Sequence, residues 1–484
     1  MFKNTGKNGQ NIKFLFTFYH IKNDYSITIF PYIPTIVPFL NYSPKSIITS
    51  ETSSREQKEG GKNMNKKFKK LTVAAITGAM AVTALAPMTA QAAGDTLTVA
   101  IWDNGQRAGL EEIMNDFTEA TGIKTEIQVV EWGSYWTLLE AGASGGEMPD
   151  VFWMHSNEAV RYMANDILLD LTDKIAESDK LEMDKFPEDI REMYQWNDKT
   201  YAVPKDVDTI AIWYNKDMFD EAGIEYPDGS WTWDEFYDIA EKLTKEDGSQ
   251  FGFAANPSNE QDTWMNIIYS MGGSVLTEDN KSGFDDPNTI KAMNFVDKCI
   301  KNVMPPAATM SETGTDVLFS SGKVAMISQG SWMVSGFKDN DFIVEHADVA
   351  RLPKDAETGR SVSLYNGLGW AASANTSMPD EAFQLIEWFG TKDMQQKQAD
   401  LGVTMAAYEG MSEGWVKSTD AFNLQPYLDA MDDIVFRPHT NATLAWWNPM
   451  VEELKKPWND EESMEDACKN ITEMMNEAIA EESY

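Results

Sequence analysis

Cysteine, histidine and basic side chains are all scarce in this chain, and each shortage closes off a chemistry. Two cysteines in 484 residues are too few for a disulfide scaffold. Cys299 shares an apolar helical face with Ala292, Phe295, Val296 and Ile300, and Cys468 shares one with Met464, Ile471 and Met475. Both read as core positions, with pairing to one another after export as the alternative. The four histidines, His20, His155, His346 and His439, lack metal-ligand spacing, so neither a metal site nor a cofactor is expected. Lys and Arg number 40 against 77 Asp and Glu, a net charge of −37. A field of that sign repels nucleic acid, anionic membrane surfaces and phosphate-rich ligands, and favours a neutral or cationic ligand. The Gly-rich turn at 142–146 has no Gly-Lys-Ser/Thr ending, and no Gly-x-Ser-x-Gly elbow is present, so phosphate-loop and serine-hydrolase readings have no support.

Long apolar runs are also missing. The clearest one, 71–85, is short and rich in Ala and Thr, too weak for a membrane anchor. It follows Lys66, Lys67, Lys69 and Lys70 and leads to Ala90-Gln91-Ala92 before Ala93. Charged start, apolar middle and small-residue exit spell a secretory signal peptide over 64–93. Residues 1–63 differ in composition, and Lys58-Glu59-Gly60-Gly61 can be encoded by a purine-rich ribosome-binding sequence just before Met64. Residues 1–63 are therefore expected to be a mis-assigned upstream leader, with the working protein starting near Ala93 outside the cytoplasm. Neither cysteine lies at the exit, so no lipid-anchoring Cys is seen there. The first 92 residues carry 12 basic and 4 acidic side chains, and removing that +8 from −37 leaves the rest at −45. The 392 residues that remain of 484 suffice for two ordinary domains.

After the exit, strand, helix, strand, helix and strand alternate over 97–102, 109–121, 124–130, 136–143 and 150–154, the pattern of a parallel sheet covered by helices. A long β-rich strand is expected at 207–214, then helices at 232–243, 262–271 and 289–301. Strands follow at 324–328 and 348–352, and a helix at 380–389. From Tyr427 onward the pattern is helical, broken at Trp446-Trp447-Asn448-Pro449.

These landmarks carry a resemblance. Ile101-Trp102-Asp-Asn-Gly, Pro149-Asp-Val-Phe-Trp153-Met-His155, Tyr201-Ala-Val-Pro-Lys-Asp206-Val-Asp208, Met271-Gly-Gly, Phe319-Ser-Ser-Gly-Lys-Val-Ala-Met326, Gly330-Ser-Trp332 and Asn366-Gly-Leu-Gly stand in register. In that order they resemble the extracellular solute-binding proteins of ABC sugar importers, the maltose-binding-like group, over about 97–479. The resemblance implies a periplasmic-binding-protein-like α/β fold of type II, two lobes joined by crossing hinge strands. Lobe 1 would comprise 94–206 and 354–408, lobe 2 207–353 and 409–484, with crossings near 204–208, 349–353 and 408–415. It also implies a monomer that closes on a sugar and docks on membrane permease subunits. Two departures stand out: the missing anchor cysteine, and Gly402-Val-Thr-Met-Ala where the family usually has Pro after the Gly.

A sugar offers an apolar C–H face and a rim of hydroxyls, so a site needs aromatic faces beside carboxylates or amides. Several of the 16 tryptophans fall at turns after strands, where α/β sheets place ligands. Trp102, Trp153, Trp332 and Trp446 are candidate platforms, as are Trp264 and Trp370, with Trp132 a further one. The family's stacking aromatic falls on Trp332. Asp206 and Asp208, two apart on an extended strand, share a face at roughly 7 Å, with the alternative that one of them only braces the hinge. The resemblance adds Asn104, Ser156 and Asn157 as polar contacts. Asn366 offers an amide, and Gly367 a close backbone approach. Two other functions compete. A secreted glycosidase or lyase needs carboxylates flanking a bond from opposite sides, which neighbours on one strand face cannot do. A binding protein for a cationic solute such as a polyamine would exploit the charge.

Overall fold

The computed structural model describes residues 96–441 and 443–482; the expected leader (1–63) and signal peptide (64–93) lie outside them. The described residues all fall within one compact unit. Among them no helix is long and apolar enough to cross a membrane.

β1 (Thr96–Ile101), β2 (Lys124–Val129) and β3 (Val151–Met154) are parallel. The helix Arg107–Thr121 between the first two buries Leu110, Ile113, Met114 and Phe117, an i, i+3, i+4, i+7 stripe, and stops at Gly122 with φ 79°. Only glycine takes that left-handed cap without strain. All of β3 is buried, as in a strand with both faces covered. A hairpin of β4 (Gln195–Trp196) and β5 (Lys199–Thr200) leads to β6 (Ala202–Pro204) at the sheet edge.

Residues 205–209 cross to a second sheet. There β7 (Ile210–Asn215) is flanked by β8 (Met326–Gly330) and β9 (Ala347–Arg351), both antiparallel to it. β10 (Ser363–Tyr365) pairs with β12 (Ile434–Phe436), while β11 (Gly369–Ala372) returns to the first sheet between β3 and β6. The first sheet therefore runs β2-β1-β3-β11-β6.

Two crossings move from their expected places. After β9 the chain stays with the second lobe: Lys354 exchanges backbone hydrogen bonds with Trp231 and Trp233, both 3.0 Å, and Ile210 N–H donates to Ser363 Oγ at 2.8 Å. The return falls at 366–368, not 349–353; Pro353 ends a strand without leaving its lobe. The helix Ser412–Val416 packs on Lys392–Asp400 of the first lobe, and Gln425–Asp429 on β7 and β9 of the second. The third crossing therefore spans 417–424, not 408–415. The expected break at Trp446-Pro449 is also absent. Thr443–Trp458 is one helix with Pro449 inside it, where the missing N–H loses one bond. Burial of Trp446, Trp447, Met450 and Leu454 outweighs that loss. Cys299 and Cys468 are buried free thiols.

Candidate ligand-binding cleft

The crossings form a floor that is unusually polar for its depth. Lys205 is fully buried. Its Nζ donates to Gln106 Oε1 at 2.9 Å and to Asp206 Oδ2 at 2.5 Å, and stands 4.3 Å from the Trp153 ring centroid. Asp206 Oδ1 accepts the Leu368 N–H at 2.8 Å. Both oxygens of Asp206 are thus spent inside the fold, Oδ1 tying the first crossing to the second and Oδ2 holding the neighbouring Lys205. Asp208 is different. Its backbone N–H donates to Asn366 O at 2.9 Å, and its carboxylate accepts from Gln261 Nε2 at 2.5 Å. Burial, then the neighbouring Asp206 charge, push its pKa well up, against the pull of Arg437 and Lys205. A buried carboxylate held this way gains from further hydrogen-bond donors.

The first lobe supplies an aromatic wall. Trp102, half-buried after β1, meets Trp132, Tyr135 and Trp153 edge-on with centroids 4.9–5.0 Å apart. Tyr135 O–H donates to Trp153 O at 2.8 Å. Next to Trp153, His155 caps the helix Ser156–Ala164, its Nδ1 accepting the Asn157 N–H at 3.2 Å. Burial, then the charge of Arg437, drive the His155 pKa down to about 3, so the ring is neutral. Ser156 Oγ donates to Asn366 Oδ1 at 3.0 Å, and Asn366 Nδ2 has no partner among the described residues.

The second lobe faces this with charge. Arg437, after β12, pairs with Glu260, and its Nη1 donates to Gln261 Oε1 at 3.4 Å. It also lies over the Trp447 ring at 5.2 Å. Burial pushes the Arg437 pKa down to about 9, opposed by Asp208. Trp332, half-buried just past β8, folds over Gly330: a Cβ there would lie 2.0 Å from the indole. Glycine in Gly330-Ser-Trp332 is thus what lets the ring settle. The lobes also touch beside it, where Ser335 Oγ donates to Asp103 Oδ2 at 3.4 Å.

Of the candidates, the structure gathers Trp102, Trp153, Ser156, Asp206, Asp208, Asn366 and Gly367 around the crossings. Gly367 O accepts the Tyr194 O–H at 2.8 Å, and a Cβ at Gly367 would lie 2.3 Å from Asp206 O. Asn104 is exposed on the turn after β1, and Asn157 half-buried at a helix start. Three tryptophans are core instead. Trp264 stacks on Trp447, Trp370 stacks on Phe389 at 4.2 Å, and Trp446 donates Nε1–H to Thr440 Oγ1; all three have no exposed surface. Trp153 is equally covered, so it offers no open face for a ligand, and its ring packs edge-on against Trp102. The sequence reading missed Lys205, Gln261, Glu260 and Arg437; only Lys205 had a signal, being next to Asp206 in a quoted motif. Among the described residues no His, Cys, Asp and Glu group could hold a metal ion.

Two α/β lobes joined by three crossings, with opposed walls over a polar floor, define a two-lobed ligand-binding protein of type II. Residues 102–396 match the model of the bacterial extracellular solute-binding protein family, and the chain belongs to that family. It is similar to the multiple sugar-binding protein of Streptococcus mutans, 24% identical over 368 residues, 72% of this chain and 84% of that one. It is also similar to the maltotriose-binding protein of Pyrococcus abyssi, 25% identical, covering 66% of this chain and 69% of that one. Among solved structures, an ABC substrate-binding protein of Listeria monocytogenes in complex with cycloalternan matches with TM-score 0.72, at 21% identity over 80% of this chain and 99% of that one. The GacH receptor of Streptomyces glaucescens, solved unliganded and with acarbose, gives 0.68 at 20% identity, again over 80% and 99%.

Proposed function

We propose that this protein binds a saccharide, an oligosaccharide rather than a single ring, and delivers it to the membrane permease of an ABC importer. It works outside the cytoplasm as an exported monomer. The observation that carries the reading is the opposition of an aromatic wall, Trp102 over Trp153, to a hydrogen-bonding wall of Asp208, Gln261 and Arg437. Trp332, Asn104, Asn157 and Asn366 complete the contact set. Relatives whose names specify sugars support the same ligand class.

The cationic-solute reading rests on the acidic charge. In the cleft itself, Lys205 pairs with Asp206 and Arg437 with Glu260. Asp208 is left as the carboxylate without a cationic partner, which suits hydroxyl donors better than a chain of ammonium groups. Thermal-shift screening of glucose, galactose, maltose, maltotriose, galacto-oligosaccharide, cycloalternan, polyamines and amino acids decides between them. A rise in melting temperature with a saccharide alone, and no product formed, is expected. A rise with spermidine alone, or release of shorter sugars, contradicts it.

A further inference from the structure

The crossings have a second face. Side chains alternate along extended chain, so Val207 and Tyr365 point away from the cleft that their neighbours Asp208 and Asn366 line. On that side lies a cavity of about 350 Å³, within the range of roughly 300–1,000 Å³ common for small-molecule sites. Both lobes wall it. The first gives Phe186 and Tyr408, whose rings meet edge-on at 5.6 Å and 77°, and the second gives Met431. The first-lobe wall is tied together, because Glu409 N–H donates to Lys185 O at 2.9 Å and Tyr408 O–H donates to Glu182.

Tyr365 brings a polar atom with nothing to bond. The residue is 2% exposed, lines the cavity, and has its ring held edge-on by Phe436 at 5.1 Å. Its hydroxyl has no hydrogen-bond partner among the described residues. A phenol buried to that degree ordinarily finds one. The lining also carries charge. Asp184 and Glu409 are exposed and Lys185 is half-buried, and none of the three forms an ion pair among the described residues. Two carboxylates against one ammonium, beside three aromatic rings, favour a cation. The net charge of −37 on the chain acts in the same direction.

We infer that this cavity is a second binding site, separate from the cleft, for a small organic ammonium ion. The ammonium donates to the Tyr365 hydroxyl oxygen and is balanced by Asp184 and Glu409, while the carbon body packs on Phe186, Tyr408 and Met431. The inference goes beyond the sugar reading and does not rest on it, since the two sites lie on opposite faces of the crossings.

Calorimetry on the full chain tests it with benzylamine, and with benzoate as an anion of the same shape. Benzylamine should bind with a dissociation constant on the order of 1 mM, and benzoate much more weakly. Saturation with the saccharide that raises the melting temperature most should leave benzylamine bound. Tyr365→Phe and Glu409→Gln should each weaken benzylamine about 3- to 10-fold. The Glu409→Gln variant should keep the saccharide affinity and melting temperature of wild type, and it tests the site even where Tyr365→Phe folds poorly. No heat with benzylamine, equal binding of benzoate, displacement of benzylamine by the saccharide, or Glu409→Gln within twofold of wild type would each overturn the site.

Discussion

The two walls of the cleft are built on different physics. The first lobe presents rings packed edge-on, Trp102, Trp132, Tyr135 and Trp153. The second presents charges that satisfy one another, Glu260 with Arg437 and, through Gln261, Asp208. Packing of the first kind is pre-organised, insensitive to salt, and survives loss of an exposed ring. A buried ion pair depends on both partners, because removing one strands the other. Truncation should therefore cost affinity on the aromatic wall and stability on the charged one.

Arg437→Met should give the largest effect, a loss of about 3–5 kcal/mol in urea unfolding, because Glu260 is left buried and unpaired. Adding Glu260→Gln should recover most of it. If the single variant unfolds like wild type, the charged wall is not held by this pair.

Trp332 departs from the rule by lobe but not by chemistry, since it is an aromatic face on the charged side. Trp332→Ala should remove about 2–4 kcal/mol of binding, roughly 30- to 1,000-fold in dissociation constant, with Trp332→Phe recovering part. Calorimetry placing the Ala variant within threefold of wild type would remove it from the site.

The two floor carboxylates sharpen the comparison. Asp208→Asn should weaken binding about tenfold or more, the contribution of a charge-assisted hydrogen bond, with little dependence on salt. Its free protein should melt no lower than wild type. Burial raises the Asp208 pKa, so the folded state holds this proton more tightly than the unfolded one. That stability is present at low pH and lost as pH rises through the folded value; asparagine removes the loss at neutral pH. Asp206→Asn should instead lower the melting temperature, because Lys205 loses its partner. Equal behaviour of the two variants would contradict the division of labour.

The smallest effect is at His155. Its pKa falls from 6.5 to about 3 on folding, so between those values the unfolded chain binds the extra proton and stability drops as pH falls. Wild type should lose about 1 kcal/mol more than His155→Asn between pH 6.5 and 5.5. Asparagine keeps a capping acceptor. Parallel curves in urea titrations would refute it.

Much of the fold was legible because periodicity reports burial directly. The strand expected at 124–130 is β2 at Lys124–Val129, and the helix expected at 289–301 is Pro287–Asn302. Topology was less legible. Pro353 marks the end of β9 but carries no information on which sheet the chain joins next. In the site, Trp370 was one of the tryptophans read as candidate platforms. Its place in β11, opposite Trp153 and Val203, puts it in the core, and alternation cannot tell which face of a strand meets a ligand. Arg437 and Glu260 are far apart in sequence and each is ordinary by itself; only the fold brings them together.

A saccharide that bridges both walls should hold the lobes together, as a ligand with greater affinity for the closed state must. Small-angle scattering of the full chain, free and saturated with the tightest saccharide of the panel, measures this directly. The radius of gyration should fall on saturation, with the bound profile matching the contact of Ser335 against Asp103. An identical radius with and without bound saccharide would contradict the account.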